Sequence, residues 1–134
     1  MSDTARMTRF VRFQSPHADA RGRYVGVFGL VNAAAKSGQL TSEQEAFRRT
    51  NNDWFDAYYA DPNTVDRTVY DPGVNPAAAG WFKADAVELI DRTERYLDLC
   101  RVLGICCERV ESENPGKIIY EDEHQIVVVS DQYR

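Results

Sequence analysis

Residues 117–130 read "KIIYEDEHQIVVVS", two apolar runs clasped around Glu121, Asp122, Glu123 and His124. Ile, Val and Tyr favour extended backbone, and four ionisable side chains in a row between two such runs mark a reversal of the chain. The stretch therefore predicts a β-hairpin, with strands at 117–121 and 125–130 and the acids at its tip, where they are solvated and deter edge-to-edge aggregation. In "IVVVS" both parities are apolar, so the second strand is expected to be covered on both faces. The rest of the chain is rich in helical periodicity, so this hairpin decides that the fold is α+β rather than all-helical.

Immediately upstream, "ICCERVES" at 105–112 reads as a further strand, and "NPG" at 114–116 as the turn that follows it. At the other end of the chain, "RFVRFQS" at 9–15 is short, aromatic and β-branched and stops at Ser15-Pro16. Residues 1–23 hold Arg6, Arg9, Arg12, Arg21 and Arg23 against Asp3 and Asp19, whereas residues 105–134 hold seven acids against three bases. Opposite charge lets the two ends lie side by side as neighbouring strands.

Between them lie three helical patterns. From about Val25 to Lys36 the residues Val27, Phe28, Leu30, Val31, Ala34 and Ala35 repeat at helical spacing, with Gly38 where a C-terminal cap belongs. Gly26 and Gly29 weaken this helix unless something packs closely on it. A second helix, about 42–60, opens with Thr41 or Ser42 and Gln44 or Glu45 in the arrangement of a capping box. Its stripe is Phe47, Asn51, Trp54, Phe55 and Tyr58, and it ends at Asp61-Pro62.

The connection 62–75, "PNTVDRTVYDPGVN", is long enough to serve as a lid or a binding surface. The third helix is expected over about 76–103, with Asn75 as N-cap and Pro76 in the first turn. Its stripe runs Phe82, Ala86, Leu89, Ile90, Thr93, Tyr96, Leu97, Cys100 and Leu103, and Gly104 closes it. Its other face carries Glu88 with Arg92 and Asp91 with Arg95, acid before base at i,i+4, the pattern of a solvated surface.

The expected fold is thus α+β: a small mixed or antiparallel sheet of about four strands (9–15, 105–112, 117–121, 125–130) packed against three helices. At 134 residues the chain fits one globular domain spanning 1–134, with residues 1–8 as a flexible N-terminus. The cover for the second face of the sheet is expected from a loop, a crossing helix or a second copy of the chain, which makes a homo-oligomer one expectation.

Composition removes several function classes. A hydrophobic content of 43% with 28% charged residues is ordinary globular composition, and no apolar run reaches the length of a spanning helix or a signal core. A formal charge of -5 argues against nucleic acid as a partner, since a phosphate backbone asks for a basic face. Thirteen of the sixteen basic residues are Arg, so an Arg here carries less functional weight than usual. The three cysteines, Cys100, Cys106 and Cys107, are odd in number and clustered, unlike a secreted disulfide framework. The expected setting is cytoplasmic, with reduced thiols and no membrane contact.

Chemistry-bearing patterns are sparse. The cysteines lack zinc-ligand spacing, with His17 and His124 far away in sequence, so no metal is expected. There is no G-x-S-x-G, and the glycines of "GVFG" lack the spacing of a phosphate or dinucleotide loop, so no cofactor is expected either. In the hairpin, strand alternation places Glu121 and Glu123 on one side and Asp122 on the other, so that two carboxylates could converge on a ligand hydroxyl, a metal or an Arg from the first strand.

The aromatics Trp54, Phe55, Tyr58, Tyr59, Tyr70, Trp81 and Phe82 flank both ends of the 62–75 connection. Asn51 puts an amide on the apolar stripe of the second helix, and a buried amide must be hydrogen-bonded, to that connection's backbone or to a ligand. The order of an early Arg or His, a central Ser or Tyr and a late acid resembles that of small mono-ADP-ribosyltransferases. That resemblance casts Arg12 or His17, Tyr24 and Glu123 in those roles, with no nicotinamide-pocket motif beside them.

Two functions follow as expectations. The first is a small acidic binding protein acting on a protein partner, as an inhibitor, immunity protein or adaptor, through Glu121, Asp122 and Glu123. The second is a small-molecule or nucleotide binder or a group-transfer enzyme, with a pocket of Asn51, Trp54, Tyr58, Tyr70 and Trp81 under the 62–75 connection and Glu121 or Glu123 as its acid.

Overall fold

The computed structural model describes residues 9–129. The expectation of a flexible 1–8 segment, and Ser130 at the end of the last strand, lie outside the described residues. In chain order the elements are β1 (Phe10–Gln14), α1 (Val27–Lys36), α2 (Ser42–Tyr58), the single turn α3 (Pro62–Val65), β2 (Ala79–Lys83), α4 (Val87–Leu103), β3 (Glu108–Ser112), β4 (Lys117–Glu121) and β5 (Gln125–Val129). The fold is α+β. Among the described residues the strands form one sheet in the order β3-β1-β2-β5-β4, and the pairings β1–β2, β2–β5 and β5–β4 are antiparallel.

The expected neighbourhood of the two chain ends is present, since β1 lies next to β3. The four expected strands are found, and β2 is a fifth that corrects the third helix. Residues 76–86 are not helical. Ala77 takes a φ of 58°, which a right-handed helix cannot accommodate, and Asn75 spends its amide on the carbonyls of Thr68 and Val69 rather than on capping. Extended backbone then runs through Ala79–Lys83, and a turn closed by Ala86 N–H on the Lys83 carbonyl, 2.9 Å, leads into α4. Phe82 and Ala86 fall in phase with the stripe of α4, which is why periodicity ran the helix backwards through a strand.

By residue contacts the chain divides into two compact units, one holding the segment up to Arg12, Pro62–Val87 and Arg109 onward, the other Phe13–Asp61 and Glu88–Glu108. In the first unit the register sets Trp81 opposite Ile126 and Ala79 opposite Val128 on one side of the sheet, with Phe82 opposite Gln125 and Gly80 opposite Val127 on the other. Phe10, Ile126 and Val128 form a buried cluster against which Trp81 packs. Ile126, Val127 and Val128 are all buried, so β5 is covered at both parities as its sequence requires. The 62–75 connection is built of α3 followed by turns, with Pro62 and Val69 buried.

The second unit is helical. The α2 capping box forms as expected: Thr41 Oγ1 accepts from Gln44 N–H at 3.1 Å, and Gln44 Oε1 accepts from Thr41 N–H at 2.8 Å. Two helices end in the same way. At α1, Gly38 (φ 77°) donates to the Ala35 carbonyl and Gln39 to that of Ala34; at α4, Gly104 (φ 74°) donates to Arg101 and Ile105 to Cys100. Each is a Schellman turn, in which a left-handed residue costs little only as glycine. The turn after α4 also explains why the following strand starts at Glu108 and not at Ile105.

The core of this unit is aromatic. Phe28, Phe47 and Phe55 surround Tyr96, with ring centroids 5.0, 5.5 and 6.2 Å away. Tyr96 is fully buried, and its hydroxyl donates to Asn52 Oδ1 at 2.6 Å. Burial raises its pKa well above the ordinary phenol value. Gly29 is held close by its surroundings, since a Cβ there would stand 3.1 Å from Val25 Cγ1.

Candidate functional site

The hairpin of the opening stretch forms, with Glu121 opposite Ile126 and Tyr120 opposite Val127, and with a bulge between Ile118 and Tyr120. Its tip is organised by Asp122. Oδ1 accepts from the backbone N–H of His124 (2.9 Å) and Gln125 (3.1 Å), while Oδ2 accepts from the Tyr120 hydroxyl (2.8 Å) and Gln125 Nε2 (2.9 Å). Burial works to raise the pKa of this half-buried carboxyl. The donors from His124, the Gln125 side chain, Tyr120 and the Gln125 backbone outweigh it and hold the pKa below the ordinary carboxylate value.

Asp122 is therefore an internal fastener. Gln125, only 2% exposed, has its buried amide held in part by this carboxylate. The two glutamates do not act as a pair. Glu121 is held by Lys83 Nζ at 2.6 Å, on the Trp81 side of the sheet, whereas Glu123, with its side chain 87% exposed, stands near His124 Nε2 at 3.7 Å, an ion pair only when that imidazole is protonated. What the tip presents to solvent is Glu123 with parts of Glu121 and His124, on a turn held by the four hydrogen bonds to Asp122. Arg12 of β1 donates to the Gly80 carbonyl at 2.9 Å. Among the described residues no group of three or more His, Cys, Asp or Glu side chains is placed to hold a metal ion.

The second set of candidate residues divides between the two units. Asn51, Trp54 and Tyr58 are brought together along α2, at the successive spacings of three and four that put residues on one helix face. Tyr70 and Trp81 belong to the sheet unit. There Tyr70 Oη lies 2.9 Å from where a Cβ on Gly80 would be, so the glycine makes room for the phenol, and Trp81 packs on the Phe10 cluster.

Asn51 is 3% exposed, as a stripe position should be, and its partner is one the sequence did not suggest. Arg92 of α4 donates from Nη1 to Asn51 Oδ1 at 3.1 Å, and the same guanidinium lies over the Trp54 ring, 4.0 Å from its centroid. The expected i,i+4 pair of Arg92 with Glu88 is present as a long contact of 4.0 Å, and the same guanidinium also serves the indole and the amide. A planar cation suits this double use, since it can stack by its face and donate from its edge. The signal available in the sequence was only that Arg92 follows Leu89 by three positions and so borders the apolar stripe.

Tyr58 completes the arrangement, its ring 5.1 Å from Trp54 and its surface 67% exposed. Phe55 packs edge-on against Trp54 from the core side, 5.3 Å away. The result is a ledge of Arg92, Trp54 and Tyr58 whose rings are fixed by one another and whose outer end is open to solvent. Of the residues that the transferase-like order singled out, Tyr24 is 43% exposed and His17 is exposed, with its backbone N–H donating to Ser15 Oγ at 3.2 Å.

No helix among the described residues is long and apolar enough to cross a membrane. The chain matches no family model, and no curated protein and no solved structure shows significant similarity to it.

Proposed function

We propose that the protein is a non-catalytic binding module that engages another protein in the cytoplasm, in the manner of an inhibitor, immunity protein or adaptor. The observation that carries this reading is the Arg92–Trp54–Tyr58 ledge. Trp, Tyr and Arg are the residue types that dominate binding energy at protein interfaces, and they do so best where the free surface is already ordered. Here the indole is capped by the chain's own guanidinium and the buried amide is satisfied by it, so the group offers a formed surface rather than an open polar reader waiting for a small ligand. The acidic hairpin supports the same reading, because Glu123 on a locked turn favours encounter with a basic partner.

The test uses the exposed end of the ledge. Partners are captured from the source cells by cross-linking, identified, and their affinity measured for the wild-type protein and for Tyr58→Ala, which removes a ring that the fold leaves in solvent. An interface centred on the ledge loses about 2 kcal/mol or more, roughly a thirtyfold rise in Kd. Unchanged affinity in Tyr58→Ala and in Glu123→Lys would remove both surfaces from consideration. A thermal shift in a panel of nucleotides and metabolites, about 2.7 kcal/mol at a ligand concentration of 100 times Kd, would instead favour a small-molecule site.

A further inference from the structure

Arg92 shapes the charge of the ledge as well as its rings. It gives one edge of its guanidinium to Asn51 Oδ1 and its face to Trp54, and it meets Glu88 only at 4.0 Å. The Glu88 side chain is 73% exposed, so its carboxylate stands in solvent beside the ledge with a loosely held counter-charge. At the outer end of the ledge Tyr58, the last residue of α2, presents a ring that is 67% exposed.

α2 makes this end electronegative. Its last turn holds no basic residue, exposed Asp53 and Asp56 lie in its last two turns, and a helix carries the negative end of its dipole at the C-terminus. An aromatic face open to solvent in such surroundings attracts a cation, through the negative face of the ring as well as through the neighbouring charges.

We propose that the Tyr58 end of the ledge seats an arginine from a basic segment of the protein partner, its guanidinium stacked on the Tyr58 ring and drawn by Glu88 and the acidic end of α2. This rests on the ledge being a protein interface and names the chemistry of what docks there. The ledge already holds one such stack, Arg92 on Trp54, and Tyr58 continues it with a second ring 5.1 Å from the first. Arginine suits the position because a planar guanidinium stacks by its face and keeps its edge for a carboxylate. Repulsion from Arg92 is weak, since the two rings set the cations apart by a distance on the order of the ~8 Å screening length at physiological salt.

The experiment titrates the isotope-labelled full chain with two acetylated, amidated peptides, Gly-Arg-Gly-Arg-Gly and Gly-Glu-Gly-Glu-Gly, and follows the backbone amide shifts by NMR. The expected result is a saturable shift centred on Trp54, Tyr58 and Glu88 with the arginine peptide alone, weakened by added salt. Tyr58→Leu, which keeps apolar bulk without a ring, should raise the Kd of that peptide about two- to fivefold, whereas Tyr58→Phe should leave it unchanged. Glu88→Gln should raise it about twofold at low salt and leave it unaltered at high salt. Both side chains are exposed, and a thermal melt of each variant confirms that the fold is kept. Equal shifts at the ledge with the glutamate peptide would overturn the arginine site while leaving the ledge an interface of other chemistry. Arginine-peptide shifts confined to the hairpin tip around Glu123, no saturable shift at all, or an unchanged Kd in Tyr58→Leu would overturn it too. Failure of the interface itself is read separately, in a partner affinity that Tyr58→Ala does not alter.

Discussion

Replacing Asp122 with Ala removes four acceptor interactions at once, and their separate fates set the size of the effect. The N–H groups of His124 and Gln125 and the Tyr120 hydroxyl sit at a part-buried turn where water can replace much of the lost bonding, at about 0.5–1 kcal/mol each. Gln125 Nε2 gives up a bond to a charged carboxylate where water replaces it poorly, since the residue is 2% exposed, at about 1–3 kcal/mol. The expected loss is therefore about 3–5 kcal/mol, read as a fall of roughly 1–3 M in the urea midpoint for a chain of this size.

A companion variant separates the parts: in Asp122→Ala with Gln125→Leu the amide is gone, and about 1–2 kcal/mol of the loss should return. Acid titration of stability gives a third reading. The folded pKa of Asp122 is depressed, so its contribution is complete above the unfolded carboxylate pKa and disappears as pH falls through the lower folded value; the Asp122→Asn variant should lack that part of the acid slope. A loss below about 0.5 kcal/mol for Asp122→Ala, the size of an ordinary surface change, would refute the assignment of this carboxylate as the organiser of the hairpin.

Arg92→Ala leaves the Asn51 amide buried without its donor and uncovers the Trp54 face, so urea unfolding should show a loss of about 2–4 kcal/mol, with Arg92→Lys recovering only part of it. Gly80→Ala sets a Cβ against Tyr70 Oη, the far end of a partly exposed side chain that can move aside, and should destabilise by about 1 kcal/mol or less, read from the melting temperature. Thr41→Ala opens the capping box and should cost about 1 kcal/mol, visible in a denaturant midpoint and in faster hydrogen exchange at the start of α2.

The hairpin, the capping box and the glycine ends of α1 and α4 were legible because each depends on local chemistry that neighbouring residues spell out. Asp122 as fastener was partly legible, since an Asp at a turn accepts from the N–H groups two and three residues on; its hold on Gln125 was not, because Gln125 reads as an ordinary polar residue opening a strand. The strand β2 was hidden by coincidence of phase. Trp81 and Phe82 speak for a strand and Gly80 against a helix interior, yet Phe82 and Ala86 also continue the helical spacing of Leu89 and Ile90, and only the positive φ at Ala77 breaks the tie. The Arg92 ledge was invisible for a different reason. An acid four residues before an Arg announces a solvated pair, and nothing in the sequence of α4 records that α2 offers that Arg an indole and a buried amide.

The place of β5 in the sheet bears on how the protein is made. β2 waits between β1 and β5, and β5 in turn lies between β2 and β4, so the strand synthesised last of the five occupies an interior position. While the ribosome is still working through residues 84–124, β2 carries an unfilled edge next to Trp81 and Phe82, a template for mispairing with another nascent chain. The sheet closes only after Val129 has been made. Pairing of Phe10 with Lys83 and of Trp81 with Ile126 then joins segments far apart in sequence, which makes folding slow relative to a helical chain of equal length. Between the synthesis of β2 and that of β5 the nascent chain thus carries an open strand edge that no later segment has yet covered.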